Sequence, residues 1–111
     1  MSELMTVVRY VLPNGKEPFT EWIRRLKDRT ARARILVKID RLAMGSVSNV
    51  KSLGEGVNEL KLTIGHGYRV YFGYDGTSVI VLLAGGDKST QSDDVKKAKE
   101  YWHEYKKDKR S

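Results

Sequence analysis

The feature that most constrains the fold is a change in the spacing of apolar residues along the chain. In the first half they recur every three or four positions, which places them on one face of a helix. The clearest set is Phe19, Trp22, Ile23 and Leu26. From residue 59 onward apolar and polar residues alternate instead, which is the spacing of a strand with one buried face. A chain that combines both periods is expected to fold as an α+β domain.

Capping and turn residues divide the helical half into two helices. Pro18 suits the first turn of a helix, because the N–H group that proline lacks is not needed there. A second helix is predicted from Thr30, as N-cap, to Met44, and Gly45 is the residue type that ends helices. Each helix has one apolar face, so the two helices are predicted to form a hairpin that packs by that face.

Short strands and a final helix complete the predicted order. Thr6–Leu12 is a β-prone run closed by a turn, and the polar stretch Ser46–Gly56 is predicted to be a loop. The predicted strands of the second half are Glu59–Ile64, Tyr68–Tyr74 and Val79–Ala84. A lysine-rich helix is expected at about residues 91–108. The order β-α-α-β-β-β-α predicts a small, mainly antiparallel sheet with the helical hairpin on one face, in a single domain spanning residues 1–111.

Alternation also predicts which side chains point away from the hairpin. In two neighbouring strands these are Lys61 on one and Arg69 and Tyr71 on the other, and cross-strand neighbours on one face interact. Lys88, which follows the last strand, is expected to reach the same surface. Clustered cations repel one another unless an anion lies between them, so the group predicts a phosphate site, with the Tyr71 ring available to stack on a base. The alternative is that Arg69 only pairs with Glu59 and that Lys61 is solvated.

The overall charge agrees with a polyanionic partner. The formal net charge is +7. Such a charge indicates a surface that binds nucleic acid, a surface that binds an acidic protein, or a solvated basic surface with no specific partner. Basic residues are expected on the outer side of the second helix and along the last one. The predicted RNA contacts among them are Arg32, Arg34, Lys96 and Lys97. The aromatic residues of the last helix, Tyr101, Trp102 and Tyr105, are expected to dock that helix onto its own domain.

Several classes of protein are excluded by what the sequence lacks. It has no cysteine and only two histidines, so neither a disulfide framework nor a zinc site is expected, and no cofactor is predicted. No run approaches the roughly 20 apolar residues that span a bilayer, and Met1 to Val8 do not resemble a signal peptide. The expected location is the cytoplasm. His66, between two glycines of a turn, is a candidate general acid or base, although the sequence offers it no obvious orienting partner.

These residues also carry a family resemblance over roughly residues 5–100. The hairpin segments that resemble the helices of RelE/ParE-superfamily toxins are residues 17–22 (EPFTEW), 31–35 (ARARI) and 41–45 (RLAMG). Three further segments resemble the HigB-like branch, the addiction-module killer proteins. They are residues 54–61 (GEGVNELK), 67–72 (GYRVYF) and 82–91 (LLAGGDKSTQ).

The resemblance implies a RelE-like fold and the toxin of a type II toxin–antitoxin system. Such toxins typically cleave messenger RNA at the ribosome without a metal, and a helix-turn-helix antitoxin neutralises them and links the complex to DNA. On this resemblance Arg69 matches the catalytic arginine, while Lys61 and Lys88 match basic positions of the site. Residues 89–94 lack the tyrosine or histidine that several cleaving members carry there. The general acid or base is therefore open, with His66, Asp87 and Asp94 as candidates.

That departure leaves a second function open. ParE-like toxins share this fold but inhibit DNA gyrase by protein contact, without enzymatic activity. The sequence therefore predicts an endoribonuclease toxin as the first hypothesis and a gyrase inhibitor as the alternative.

Overall fold

The computed structural model describes residues 4–110, apart from the side chain of Arg110. Residues 1–3 and Ser111 of the predicted domain, and with them part of the segment compared with signal peptides, lie outside the described residues. The elements in chain order are β1 (Thr6–Arg9), α1 (Pro18–Arg25), α2 (Arg29–Ala43), β2 (Val50–Ser52), β3 (Asn58–Leu62), β4 (Tyr68–Asp75), β5 (Val79–Gly86), a 3₁₀ turn (Lys88–Thr90) and α3 (Gln91–Arg110). The predicted α+β class is confirmed.

The strands form one five-stranded sheet in the order β1-β5-β4-β3-β2. β1 runs parallel to β5, and the other three pairings are antiparallel, so the sheet is mainly antiparallel as predicted. The prediction of a loop at Ser46–Gly56 was wrong in part, because β2 lies within it and pairs with β3 at the sheet edge. A three-residue edge strand with only Val50 partly buried is too short to show an alternating pattern.

The helical hairpin covers one face of the sheet. Its core includes Phe19 and Ile23 from α1 and Ile35 and Leu42 from α2, packed on apolar side chains of the strands. The sheet residues of this core are Leu60, Leu62, Tyr68, Val70, Phe72, Ile80 and Leu82. The predicted N-cap of the second helix was displaced by two positions, since Asp28 rather than Thr30 accepts the backbone N–H of Ala31, at 3.0 Å.

The last helix, α3, covers the opposite face of the sheet. Trp102 is buried in a second core with Tyr71, Val81 and Leu83, and its ring lies directly against Gly73, where a Cβ atom would be 2.7 Å from ring carbons. The predicted docking of the α3 aromatic residues onto the domain is confirmed. Among the described residues, none of the helices combines the length and apolar character that crossing a membrane requires.

Candidate functional site

The predicted alternation in β3 and β4 is confirmed. Lys61 pairs directly with Arg69, and Glu59 pairs directly with Tyr71, so these four side chains share the sheet face that turns away from the hairpin. Arg69 is also paired with Gly86 at the end of β5. The beginning of β4 therefore lies between Lys61 on one side and the segment leading to Lys88 on the other.

Arg69 is buried and held by neighbours on its own sheet. Its guanidinium Nη1 donates a hydrogen bond to the carbonyl oxygen of Gly67 at 2.7 Å, and its Nε lies 3.8 Å from Oε2 of Glu59. The Gln91 side-chain amide, from the start of α3, donates to the same Glu59 oxygen at 3.3 Å. Arg69 thus pairs with Glu59, as one of the two readings of the sequence expected, and it also fastens the turn before β4.

Tyr71 does not offer the exposed ring that was predicted. The residue is fully buried beneath α3, so its faces are not free to stack on a base. Burial raises the pKa of its hydroxyl, and the carboxylates of Glu59 and Asp94 raise it further. Within residues 4–110, that hydroxyl has no hydrogen-bond partner. The prediction was wrong because alternation gives the face of a side chain but not what covers that face.

Two exposed lysines flank the buried pair. Lys61 and Lys51 are both exposed, and Lys51 lies opposite Glu59 in the β2–β3 pairing. Together with Arg69 and Gln91 they line a shallow pocket of about 370 Å³ at the edge of the sheet. Sequence reasoning missed Lys51 and Gln91, since the first lies in the unpredicted strand β2 and no local pattern places the first residue of α3 beside Glu59.

The turn before β4 forms the other half of the site. His66 lines a pocket of about 320 Å³ with Asp87, Lys88 and Ser89, and the Lys88 backbone N–H donates to the His66 carbonyl at 3.5 Å. The Asp87 carboxylate accepts from the Ser89 backbone N–H at 2.8 Å and from the Ser89 hydroxyl at 2.6 Å. His66 therefore has the acidic neighbour that the sequence did not reveal.

Electrostatics keep Asp87 ionised. The hydrogen bond from the Ser89 hydroxyl is the largest cause that lowers the pKa of Asp87, and the nearby His66 imidazole adds to it. The His66 imidazole, a side chain that can act as a general acid or base, lines the same pocket as this carboxylate. The pair is thus able to donate a proton to an adjacent oxygen or accept one from it.

Asp94, in the first turn of α3, contacts the segment that joins β5 to α3. Burial raises its pKa, although the Thr90 hydroxyl, which donates a hydrogen bond to its Oδ2, works in the opposite direction. The carboxylate presses against the backbone of Gly86, where any Cβ would collide with it. Among the described residues, no three histidine, aspartate or glutamate side chains form a group suited to a metal ion.

The four residues predicted to be catalytic converge on one end of the sheet. Lys61 and Arg69 are cross-strand partners, Arg69 binds the Gly67 carbonyl, and His66 and Lys88 line the pocket beside that turn. We call this group, with Asp87, the sheet-end site. In this site Lys61, Lys88 and His66 are exposed, and Arg69 is buried.

The predicted RNA-binding residues of the helices lie elsewhere. Arg32 is half-buried, and its Nη2 donates to the Leu26 carbonyl at 2.6 Å, which closes the connection between α1 and α2. Arg34 lines a groove on the hairpin side of the sheet. Lys96 and Lys97 are exposed on α3, and Lys97 borders a groove between α1 and α3 that Asp87 also lines. None of these four residues is placed in the sheet-end site.

Comparison with known proteins identifies the family. A protein of Haemophilus influenzae that is described only as uncharacterized is 43% identical over 81 residues, which cover 73% of this chain and 82% of that protein. No solved structure matches the chain. Residues 21–105 match the model of the family described as Phage derived protein Gp49-like (DUF891), and this span includes every residue of the sheet-end site. The chain therefore belongs to the Gp49-like family, a family of RelE/HigB-like toxins from toxin–antitoxin systems.

Proposed function

We propose that this protein is a HigB-like toxin that cleaves translated messenger RNA at the ribosome, in the cytoplasm and without a metal. The observation that supports this most directly is the sheet-end site. There Lys61 and Arg69 are direct cross-strand partners, and Arg69 binds the turn that carries His66. A cationic site with a histidine is suited to charge that develops on a phosphate during RNA cleavage.

The proposed reaction uses the RNA as its own nucleophile. The 2′-oxygen attacks the adjacent phosphorus while the bond from phosphorus to the 5′-oxygen breaks, leaving a 2′,3′-cyclic phosphate and a 5′-hydroxyl. One proton must leave the 2′-hydroxyl and one must reach the departing 5′-oxygen. His66, beside the ionised Asp87, is proposed to transfer a proton in this step.

The lysines are proposed to bind the reacting phosphate. Lys61 and Lys88 are both exposed, so each ammonium is accessible to a phosphate oxygen, and the growing negative charge strengthens these contacts in the transition state.

Arg69 is proposed to act through the turn rather than on the RNA. Its side chain is only 6% exposed, and its hydrogen bond to the Gly67 carbonyl fixes the turn that holds His66. In this scheme Arg69 is a positioning residue. The family resemblance marks Arg69 as catalytic, but Lys61 and Lys88 are the more accessible cations of the site.

Primer extension on a translated message tests the proposal. We expect cleavage by the wild type and by Lys16→Ala, which removes an exposed cation outside the site. His66→Ala is expected to slow cleavage by at least about 100-fold, as for loss of a general acid or base, and Lys61→Ala with Lys88→Ala to slow it similarly. Absence of cuts by the wild type would contradict the proposal. If the wild type instead stalled supercoiling by purified gyrase, the ParE-like alternative would replace it.

A further inference from the structure

A groove on the hairpin side of the sheet is separate from the sheet-end site. It has a volume of about 400 Å³ and lies between α2 and the end of β3. Its apolar lining includes Val37, Leu62 and Ile64, and its basic lining consists of Arg34, Lys38 and Arg41. Val37 is 48% exposed, so an aliphatic side chain of α2 is left facing solvent.

The charges around this groove all have one sign. Arg34, Lys38 and Arg41 follow one another at helical spacing on α2, so they form a row along the groove. Within the part of the chain that the structure describes, no carboxylate lines the groove, and no acidic side chain lies within 4.0 Å of these three cations. The groove therefore offers an apolar surface beside unpaired positive charge.

This combination fits a protein segment better than it fits RNA. A nucleic acid would be attracted by the cations, but single-stranded bases are held by stacking on aromatic rings, and none of the described lining residues is aromatic. An amphipathic helix with an apolar face and flanking carboxylates would satisfy both the aliphatic surface and the cations. We propose that this groove docks an acidic amphipathic helix of a protein partner.

This docking proposal rests on the proposed function, because a toxin's antitoxin is the partner expected to carry the helix. The groove lies on the sheet face opposite to Lys61, because Leu62 packs towards the hairpin while the neighbouring Lys61 points the other way. A helix docked in the groove would leave Lys61 uncovered. Docking can therefore be measured separately from inhibition.

A titration with synthetic ligands tests the groove directly. The probe is a fluorescein-labelled amphipathic peptide of glutamate and leucine. The controls are a labelled scrambled peptide of the same composition and, as a competitor, an unlabelled oligouridine RNA of similar length. We expect the amphipathic peptide to bind the full chain, the scrambled peptide to bind at least about tenfold more weakly, and unlabelled oligouridine not to displace the peptide.

Substitutions identify the surface that is used. Val37→Asp is expected to weaken peptide binding about tenfold or more, because it places a carboxylate against the apolar face of a peptide that also carries glutamates. Val47→Asp is the matched control, since Val47 is 66% exposed and lies outside the groove. If Val37→Asp folds poorly, the charge reversal of Arg34→Glu with Arg41→Glu replaces it. That variant is expected to lose the glutamate peptide and to gain a lysine–leucine peptide.

The outcomes separate this proposal from the proposed function. Equal binding by the wild type and both groove variants, or displacement of the peptide by oligouridine, would overturn the docking proposal. Growth arrest on expression of the wild type alone tests toxicity independently. A groove that binds specifically in a protein that does not arrest growth would overturn only the function, and toxicity without groove binding would overturn only the groove.

Discussion

The guanidinium Nε of Arg69 lies 3.8 Å from Oε2 of Glu59, and the two side chains are only 6% and 5% exposed. Gln91 of α3 donates a hydrogen bond to the same carboxylate oxygen, so the pair is enclosed by the sheet and the last helix together. Among the described residues, the Arg69 Nε has no hydrogen-bond partner. A buried ion pair with incomplete hydrogen bonding adds little net stability, but removing one partner leaves a costly unpaired charge.

Glu59→Gln is therefore expected to lower the free energy of unfolding by about 1–3 kcal/mol, because the Arg69 charge stays buried without its partner. Arg69→Gln should have a similar effect for the same reason, and the double variant should lose less than the two single losses added together. Urea denaturation of the four proteins measures this coupling. Glu55→Gln is the control, since Glu55 is exposed and pairs with Lys99 at 3.2 Å, and its loss should cost no more than about 0.5 kcal/mol. Additive losses at Glu59 and Arg69 would contradict the interpretation.

Tyr71→Phe is expected to change stability by no more than about 0.5 kcal/mol, and in the stabilising direction, because it removes a buried hydroxyl that has no partner within residues 4–110. Tyr71→Ala should cost about 3–5 kcal/mol, as do other large cavities in a core. Thermal unfolding of the two variants distinguishes a packing role from a polar one. If Tyr71→Phe unfolded as easily as Tyr71→Ala, the hydroxyl would have to be hydrogen-bonded. RNA cleavage by Tyr71→Phe should match the wild type, since the ring is not accessible to a base.

Alkaline pH should weaken the attachment of α3. Burial and a hydrogen bond to Asp75 raise the pKa of Tyr105 from 10.0 to about 12, and the hydroxyl donates to Asp75 Oδ2 at 2.6 Å. Because the folded state prefers the protonated form, this stabilisation is complete below pH 10 and is lost as the pH rises towards 12.

Tyr105→Phe separates this effect from the titration of other tyrosines. At pH 9 the variant should be less stable than the wild type by about 1 kcal/mol, the usual value of one hydrogen bond. The difference should shrink as the pH is raised through this window. Urea denaturation at several pH values measures it, and a difference that stayed constant up to pH 12 would show that Tyr105 does not titrate with folding.

Gly73→Ala is expected to destabilise the fold by about 1–3 kcal/mol or more, because the added methyl group would meet the Trp102 ring in a closed core. Its backbone needs no positive φ, so the cost is steric. Gly76→Ala is the matched control, since Gly76 has a φ of 66° and open space around it. Its cost should be about 1 kcal/mol and purely conformational. Differential scanning calorimetry compares the two, and a smaller effect at Gly73 would show that Trp102 can move aside.

The sequence predicted the face of each β3 and β4 side chain correctly, because the period of two is a property of the strand itself. It did not predict the burial of Arg69 and Tyr71. In α3, Lys99, Glu100 and Tyr101 lie between Ala98 and Trp102, and nothing local shows which sheet face that helix covers. β2 escaped prediction because its pairing with β3 holds it in place, and a strand of three residues is too short to show an alternating pattern. The residues that approach through turns, such as Asp87 beside His66, are likewise brought together only by the fold.

The contact of Trp102 with the bare backbone of Gly73 has a consequence for how this chain can change over time. The two positions share one volume, although 28 positions separate them along the chain. In related sequences a side chain gained at position 73 should be accompanied by a smaller residue at position 102. In an alignment of relatives, the pair of residues at positions 73 and 102 would then indicate whether the last helix still covers the sheet in each protein.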